Sequence, residues 1–144
     1  MTRAATSSTR KPVPLNRHVS TRMKGNKAIG TQPELRFRAL LSAAGIRGYR
    51  LNDARLPGRP DVVFTRKRLA VFVHGCFWHL CPYCQPPIPK HNTPFWRTKL
   101  LGNRARDKAH TRQLRHLGWR VLVIRECQLL KHPAGQLERL KRYL

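Results

Sequence analysis

The segment FVHGCFWHLCPYC, residues 72–84, brings thiols, imidazoles and aromatic rings into one short stretch. Cys76, Cys81 and Cys84 lie within nine residues, and Cys127 follows much further along the chain. A local cluster with one distant thiolate is how a tetrahedral zinc ion fastens a loop to a core, and Cys81 and Cys84 have the common two-residue ligand spacing. Four thiolates leave no open position on the ion, so this spacing predicts a structural zinc site.

The same cysteines could instead be free thiols or a thioredoxin-like redox pair at Cys81 and Cys84. A redox cysteine normally has its pKa lowered by a helix N-terminus. The segment after Cys84, QPPIPK, is a proline-rich loop that does not begin a helix. The sequence therefore favours zinc over redox chemistry.

Asp61 is a candidate ligand for a catalytic cation. It is one of six acidic residues in the chain and directly precedes the apolar segment VVF. A carboxylate beside a buried strand is costly unless it binds a cation or lies at an exposed strand end, and Mg²⁺ there would bridge the protein and a phosphate. The alternative, an aspartate that caps the turn after Pro60, has equal support from this residue alone.

His74 and His79 are candidate proton acceptors beside Asp61. His74 ends the segment LAVFVH, which is expected to pair with the strand that Asp61 begins, and His79 follows shortly after. Imidazole titrates near neutrality and can take a proton from a water that attacks a phosphodiester. His79 could instead bind zinc beside Cys76, but four cysteines already fill a tetrahedral site, so we assign His79 to catalysis.

Four aromatic side chains, Phe77, Trp78, Phe95 and Trp96, lie close to these candidate sites in the sequence. On a basic surface, such rings can stack on bases or wedge between base pairs. They can equally pack around the zinc ion, and the residues alone do not decide between the two roles.

The charge of the chain indicates a polyanionic partner. Of its 144 residues, 30 are Lys or Arg and six are Asp or Glu, a formal net charge of +24. Nucleic acid is the expected partner, and an anionic membrane surface is the alternative. No apolar run reaches the roughly 20 residues of a membrane span, and no secretory signal is visible. We expect a cytoplasmic protein with no membrane partner.

Residues 1–30 are predicted to be a basic arm preceding a single domain of residues 31–144. The arm contains no acidic residue and is rich in Arg, Lys, Ser and Thr. DNA-binding arms and organellar transit peptides share this composition. We favour an arm that is partly disordered without DNA.

The elements that must position these side chains indicate an α/β fold, a mixed β-sheet flanked by helices. A helix is predicted to begin with Thr31 or Gln32 as its cap and to end at Gly45. Strands are predicted at residues 49–52, 61–65, 69–74 and 119–124. Residues 95–117 are predicted to form one long helix or two helices broken at Gly102, and a last helix is predicted over 136–144. The predicted core residues of the helices are Leu35, Phe37, Leu40, Leu41, Ala44, Leu100, Leu101, Leu114, Leu117, Leu137, Leu140 and Leu144.

Taken together, the motifs resemble those of the very short patch repair (Vsr) endonucleases, which nick DNA at T:G mismatches left by deamination of 5-methylcytosine. The similar segments are LPGRPDVVF, FVHGCFWH, the region of Trp96 and GWRVLVI-x-E-C. They lie between about Ser20 and Cys127, most of the chain. The resemblance implies a restriction-endonuclease-like fold, a Mg²⁺ site, a structural zinc and a nick 5′ to the mismatched T.

The resemblance also implies roles for individual residues. Asp61 is similar to the family's metal-binding aspartate, His79 to its proposed general base and His74 to its second catalytic histidine. Glu34 is similar to the helix glutamate that supports the water on the metal. Val73 stands where the family usually has threonine, and its backbone carbonyl is expected to reach Mg²⁺. The DNA-binding residues that the resemblance implies are an aromatic wedge of Phe77, Trp78 and Trp96 and an arm that includes Arg22, Met23 and Lys24.

The zinc loop departs from the family pattern, which often mixes histidine with cysteine. Here the set is all cysteine with altered spacing, and we expect metal binding to be retained. The expected partner is double-stranded DNA with a T:G mismatch, bound by a monomer that other DNA repair proteins could join. Two alternatives are a zinc-stapled nucleic-acid-binding module without catalysis and a related nuclease with a restriction or defence target.

Overall fold

The structure is a computed structural model that describes residues 29–144. These residues form one four-stranded sheet with helices packed on both faces, so the predicted fold class is confirmed. The predicted arm residues Arg22, Met23 and Lys24 lie outside the described residues.

The sheet contains a hairpin and one parallel strand pair. Its strands are Arg50–Leu51 (β1), Val62–Phe64 (β2), Leu69–His74 (β3) and Arg120–Arg125 (β4), in the order β1-β2-β3-β4. β1 and β2 are antiparallel, as are β2 and β3, which a single turn at Thr65–Lys67 connects. β4 lies parallel to β3 with Arg125 opposite His74. A parallel pair needs a long crossover, which a helix provides here.

The helices are Gln32–Ala43 (α1), Thr93–His116 (α2), Glu126–Lys131 (α3) and Pro133–Lys141 (α4). Thr31 caps α1 as predicted, since its Oγ1 accepts the Glu34 backbone N–H at 3.5 Å. Of the two alternatives for residues 95–117, one long helix is confirmed and the break at Gly102 is wrong, because α2 is continuous. An interior glycine costs about 1 kcal/mol relative to alanine, and burial of Leu100 and Leu114 on either side of it offsets this cost. None of the helices within residues 29–144 is long and apolar enough to cross a membrane.

Some predicted core positions are wrong. The exposed ones are Leu35, Ala44, Leu101, Leu117 and Leu144. Three of them, Ala44, Leu117 and Leu144, lie beyond the helix ends. Leu35 and Leu101 lie within helices but beside the buried positions: α1, for example, buries Phe37 and Leu41 but leaves Leu35 43% exposed. The last helix begins at Pro133 rather than at Gln136, as suits a proline in the first turn. The short helix α3 was not predicted.

The two faces of the sheet bury different side chains. Val73 packs with Phe37 of α1 in the larger core, whereas Phe72 packs with Leu114 of α2 on the opposite face. Because side chains alternate along a strand, His74 falls on the α2 face at the end of β3. This alternation determines which helix the histidine meets.

Candidate active site and cysteine cluster

Asp61 is fixed at the edge where β2 begins and β3 ends. Its Oδ2 accepts a hydrogen bond from the Val73 backbone N–H at 2.6 Å. The β2–β3 register stops at the Val62–Val71 pair, so the carboxylate takes a donor just beyond the paired residues. Asp61 is thereby held on the backbone of the strand that carries His74.

Glu34 is a second carboxylate at this edge. It is 4% exposed, and its carboxylate accepts hydrogen bonds from the Gly30 N–H at 3.0 Å and the Thr31 hydroxyl at 3.3 Å. Burial raises the pKa of Asp61 to about 7; the Val73 N–H opposes this rise and the charge of Glu34 adds to it. Within residues 29–144, neither carboxylate forms an ion pair with a Lys or Arg. Two carboxylates in this position have the donor chemistry that Mg²⁺ prefers.

His79 is hydrogen-bonded to Asp107, a residue of α2. His79 Nδ1 lies 2.6 Å from Asp107 Oδ2, and the two side chains are 27% and 26% exposed. An ionised carboxylate can only accept, so the nitrogen that faces it carries the proton. The other nitrogen, Nε2, is left to accept a proton from a substrate or water. A histidine oriented in this way has the geometry of a general base.

His74 stacks against His79, with ring centroids 3.9 Å apart and ring planes within 3° of parallel. His74 is 7% exposed. Burial lowers its pKa to about 3, and the charges of His79 and Arg125 act in the same direction while that of Asp107 opposes them. His74 is therefore neutral near pH 7, and its buried Nδ1 has no hydrogen-bond partner in the described part of the chain. The more exposed His79 is the ring suited to exchange protons with substrate.

A shared metal ion does not fit this group of side chains as it stands. The ligand atoms of His74, His79 and Asp107 lie within 4.8 Å of one another. An imidazole nitrogen binds a metal in the plane of its ring, however, and no point lies in the planes of two stacked parallel rings. We therefore interpret the group as a proton-transfer pair with a stacked neighbour.

Asp107 is the site residue that the sequence analysis missed. It is the single acidic side chain in the 24-residue helix α2, which is otherwise rich in Lys and Arg. Its position as the one acidic residue of a basic helix was the sequence feature that could have identified it as a candidate site residue. The role of Asp107 depends on the packing of α2 across the sheet face that carries His74, which no local pattern encodes.

The four cysteines converge between the loop after β3 and the start of α3. Their Sγ atoms lie within 4.8 Å of one another, and those of Cys81 and Cys127 are 3.7 Å apart. Tetrahedral zinc with Zn–S bonds of about 2.3 Å separates its sulfurs by about 3.8 Å. The Cys127 backbone N–H also donates to Cys76 Sγ at 3.2 Å. The cluster thus has the donor set and spacing for a metal that fastens the loop to α3.

The thiols differ in their tendency to ionise. Burial opposes ionisation of Cys81, but hydrogen bonds from the backbone N–H groups of Cys84 and Tyr83 help to lower its pKa to about 7. The pKa of Cys76 is raised, chiefly by burial. Without a metal, the cluster stabilises a thiolate at Cys81 but not at Cys76, so a cation is needed to hold the whole set ionised.

The aromatic side chains form one cluster next to the cysteine loop. The rings of Phe77, Trp78 and Trp96 lie 5.0–5.8 Å apart between centroids. Trp96 is 6% exposed, whereas Phe77 and Trp78 are half-buried. The Lys99 Nζ lies 5.5 Å from the centroid of Trp78. In this structure, Trp96 supports the two rings that reach the surface.

The chain is similar in sequence to one protein-family model and to several known proteins. The family model for DNA mismatch endonuclease Vsr matches residues 14–84. DNA mismatch endonuclease Vsr of Escherichia coli is 42% identical over 113 residues, 76% of this chain and 72% of that protein. The chain belongs to the Vsr family. Type II nicking enzyme V.XorIIP of Xanthomonas oryzae is 42% identical over 107 residues, covering 74% of this chain and 78% of that protein. Type II nicking enzyme V.NmeAIP of Neisseria meningitidis is 42% identical over 112 residues, covering 78% and 79%.

Membership of the Vsr family makes the chain a DNA endonuclease of a DNA repair family, which overturns the alternative of a binding module without catalysis. The segment that matches the Vsr model includes Asp61, His74 and His79. Asp107 and Cys127 lie beyond it, and the structure brings them to the same edge of the sheet.

Proposed function

We propose that the chain nicks one DNA strand 5′ to the thymine of a T:G mismatch, in a Mg²⁺-dependent reaction that begins very short patch repair. The observation that carries the catalytic part is that His79, paired with Asp107, stacks on His74 at the end of β3, the strand whose backbone holds the buried Asp61. A fixed base and a carboxylate pair at one strand edge are what metal-assisted phosphodiester hydrolysis requires.

Each residue of this edge has a distinct part in the proposed reaction. Asp61, supported by Glu34 and the backbone carbonyl of Val73, would hold Mg²⁺, which when bound polarises the phosphate and stabilises the leaving oxygen. His79 Nε2 takes the proton of the attacking water, while Asp107 fixes the ring and stabilises the imidazolium that results. His74 provides a neutral face for that ring.

The cysteine cluster is proposed to hold a structural Zn²⁺ through Cys76, Cys81, Cys84 and Cys127. This assignment rests on an all-thiolate set with no open position. The metal would fix the loop that carries His79, and therefore the distance from the base to Asp61, without taking part in hydrolysis.

Selectivity for a mismatch is proposed to come from Phe77 and Trp78, backed by Trp96. Unstacking a mispaired base costs less than opening a matched pair, so rings that wedge beside the pair would favour T:G over T:A. Residues 1–30, including Arg22, Met23 and Lys24, would add contacts to the DNA backbone, and we propose that the protein binds DNA as a monomer.

Strand-specific nicking tests this proposal. A short duplex with one T:G mismatch in a methylated-cytosine context is compared with its T:A control in the presence of Mg²⁺. We expect a nick 5′ to the mismatched T, absent from the control and from Asp61→Asn but retained in Glu138→Gln, which removes an exposed carboxylate. Equal nicking by Asp61→Asn and wild type would overturn the catalytic assignment.

A second candidate target is a matched or foreign duplex, as for a nuclease of restriction or defence. The observation that favours it is the name type II nicking enzyme carried by several relatives. Equal cleavage of the T:G and T:A duplexes would support this target and overturn the mismatch specificity.

A further inference from the structure

Arg125 lies at the same edge and on the same sheet face as the histidines. It is the last residue of β4 and is paired in register with His74. Paired residues of neighbouring parallel strands direct their side chains to the same face of the sheet. Val123, two residues earlier, packs in the cluster of Phe72 and Leu114. Arg125 therefore extends from the α2 side of the sheet, beside His74.

The guanidinium of Arg125 is held in place without being neutralised. Its Cζ lies 5.8 Å from the ring centroid of Tyr83, which is 67% exposed in the cysteine loop. Stacking on an aromatic face orients the guanidinium plane and leaves its N–H groups free. The ion pairs of the described residues, which involve Asp53, Asp107 and Glu138, do not include Arg125. A half-buried, unneutralised cation beside His74, the ring on which His79 stacks, calls for an anionic partner.

We propose that Arg125 is a further catalytic residue, donating hydrogen bonds to the non-bridging oxygens of the phosphate that is cleaved. During hydrolysis the phosphorus forms a bond to the water oxygen and loses its bond to a sugar oxygen, which takes a proton from solvent. The water's proton goes to His79 Nε2. Negative charge increases on the non-bridging oxygens in between, and a planar fork of N–H donors stabilises it. This inference rests on the proposed active site at Asp61 and His79.

Loss of the guanidinium should slow the chemical step more than it weakens binding. We expect Arg125→Gln to lower the nicking rate by about 100-fold or more, with KM changed by less than about threefold. Arg125→Lys keeps the positive charge but loses the planar set of guanidinium N–H donors, so its nicking rate should lie between those of wild type and Arg125→Gln. Arg142→Gln removes an equal charge at an exposed position near the opposite end of β4 and should nick like wild type. A rate for Arg125→Gln equal to that of Arg142→Gln, or a rise in KM alone, would overturn the proposal.

Binding to a modified duplex tests the contact without relying on turnover. A single methylphosphonate at the cleaved position removes the charge of that phosphate. We expect it to weaken binding of wild type and of Arg142→Gln by up to about threefold more than binding of Arg125→Gln, because the variant has already lost the partner. Equal weakening of all three proteins overturns the contact. If Arg125→Gln does not unfold cooperatively or has lost its metal, Arg125→Lys serves in both assays.

The two proposals fail in different ways. Equal cleavage of T:G and T:A duplexes would contradict mismatch specificity. It would leave unchanged the expectation that the methylphosphonate weakens binding of wild type more than binding of Arg125→Gln. If wild type nicks a duplex at the mismatch but the methylphosphonate weakens binding of wild type and Arg125→Gln equally, only the role of Arg125 is contradicted.

Discussion

The imidazole rings of His74 and His79 lie face to face, 3.9 Å apart between centroids and nearly parallel. One ring is buried and kept neutral, and the other is hydrogen-bonded to Asp107 and reaches the surface. In the proposed reaction, this division gives proton transfer to His79 and a supporting role to His74. The orientation of His79, a loop residue, therefore depends on His74 of β3 and on Asp107 of α2, which is distant in sequence.

Removing the partner of the base should impair catalysis without unfolding the protein. Asp107→Asn cannot stabilise the imidazolium and can favour the wrong tautomer of His79, so we expect nicking to fall by about 10²–10⁴-fold. His79→Ala should lose at least as much, and the double variant little more, because the pair acts as a unit. Single-turnover nicking measures this, with His116→Gln near the exposed end of α2 as the control. Full activity in Asp107→Asn would show that the pair has no catalytic role.

The ionisation of Asp61 should make the metal-free protein less stable as pH rises. Its folded pKa is raised to about 7, against about 3.9 when unfolded, so its contribution is complete below about pH 3.9 and lost as pH rises through 7. The lowered pKa of His74 has the opposite effect on stability. Its contribution to the free energy of unfolding is present above the pKa of the unfolded chain, near 6.5, and is lost as pH falls towards about 3. The difference between wild type and Asp61→Asn therefore isolates Asp61.

Urea unfolding from about pH 5 to about pH 8 without divalent ions measures that difference. We expect wild type to lose stability relative to Asp61→Asn as the pH rises. Saturating Mg²⁺ should reverse the trend for wild type only, because the cation replaces the proton at the carboxylate. Parallel pH profiles for the two proteins would contradict the raised pKa.

Removal of the metal from the cysteine cluster should release the loop that carries His79. We expect one zinc ion per chain by mass spectrometry under native conditions. Cys127→Ser should lose the zinc and lower the melting temperature, since structural zinc contributes directly to folding free energy. Tyr83→Ser, an exposed change in the same loop, should keep it. A chain that folds and nicks equally well after chelation would have no structural zinc.

Two glycine substitutions should change stability in opposite directions. Gly58 has a φ of +75°, and an added Cβ would lie 2.8 Å from His110 Cβ, so Gly58→Ala should destabilise the loop before Asp61 by about 1–3 kcal/mol. Gly102 lies inside α2 with room for a Cβ, its nearest neighbour being the flexible end of Arg106 at 3.6 Å. Gly102→Ala should stabilise the protein by about 0.5–1 kcal/mol. Chemical denaturation compares the two: stabilisation by Gly58→Ala would contradict the strained backbone at Gly58, and destabilisation by Gly102→Ala would contradict the open space at Gly102.

Local patterns in the sequence were sufficient for most of the helices and strands, though not for α3, and for many of the ligand candidates. Thr31 and Glu34 form the start of α1 through contacts within four residues. The two apolar runs at 61–65 and 69–74 predicted two strands that pair with each other, because pairing across a short connection is local. The spacing of Cys76, Cys81 and Cys84 likewise predicted that they converge, because residues this close together in a short loop are also close in space.

Tertiary structure alone decided which distant residues come together at the candidate site. Asp107 reaches His79 across 28 positions of sequence, and Arg125 meets His74 because β4 returns parallel to β3. The exposure of Leu35 and the continuity of α2 through Gly102 were likewise set by the sheet face each helix covers. The sequence determines which side chains can bind a metal or transfer a proton. The packing of the crossover helix α2 against one face of the sheet determines which of these side chains come into contact.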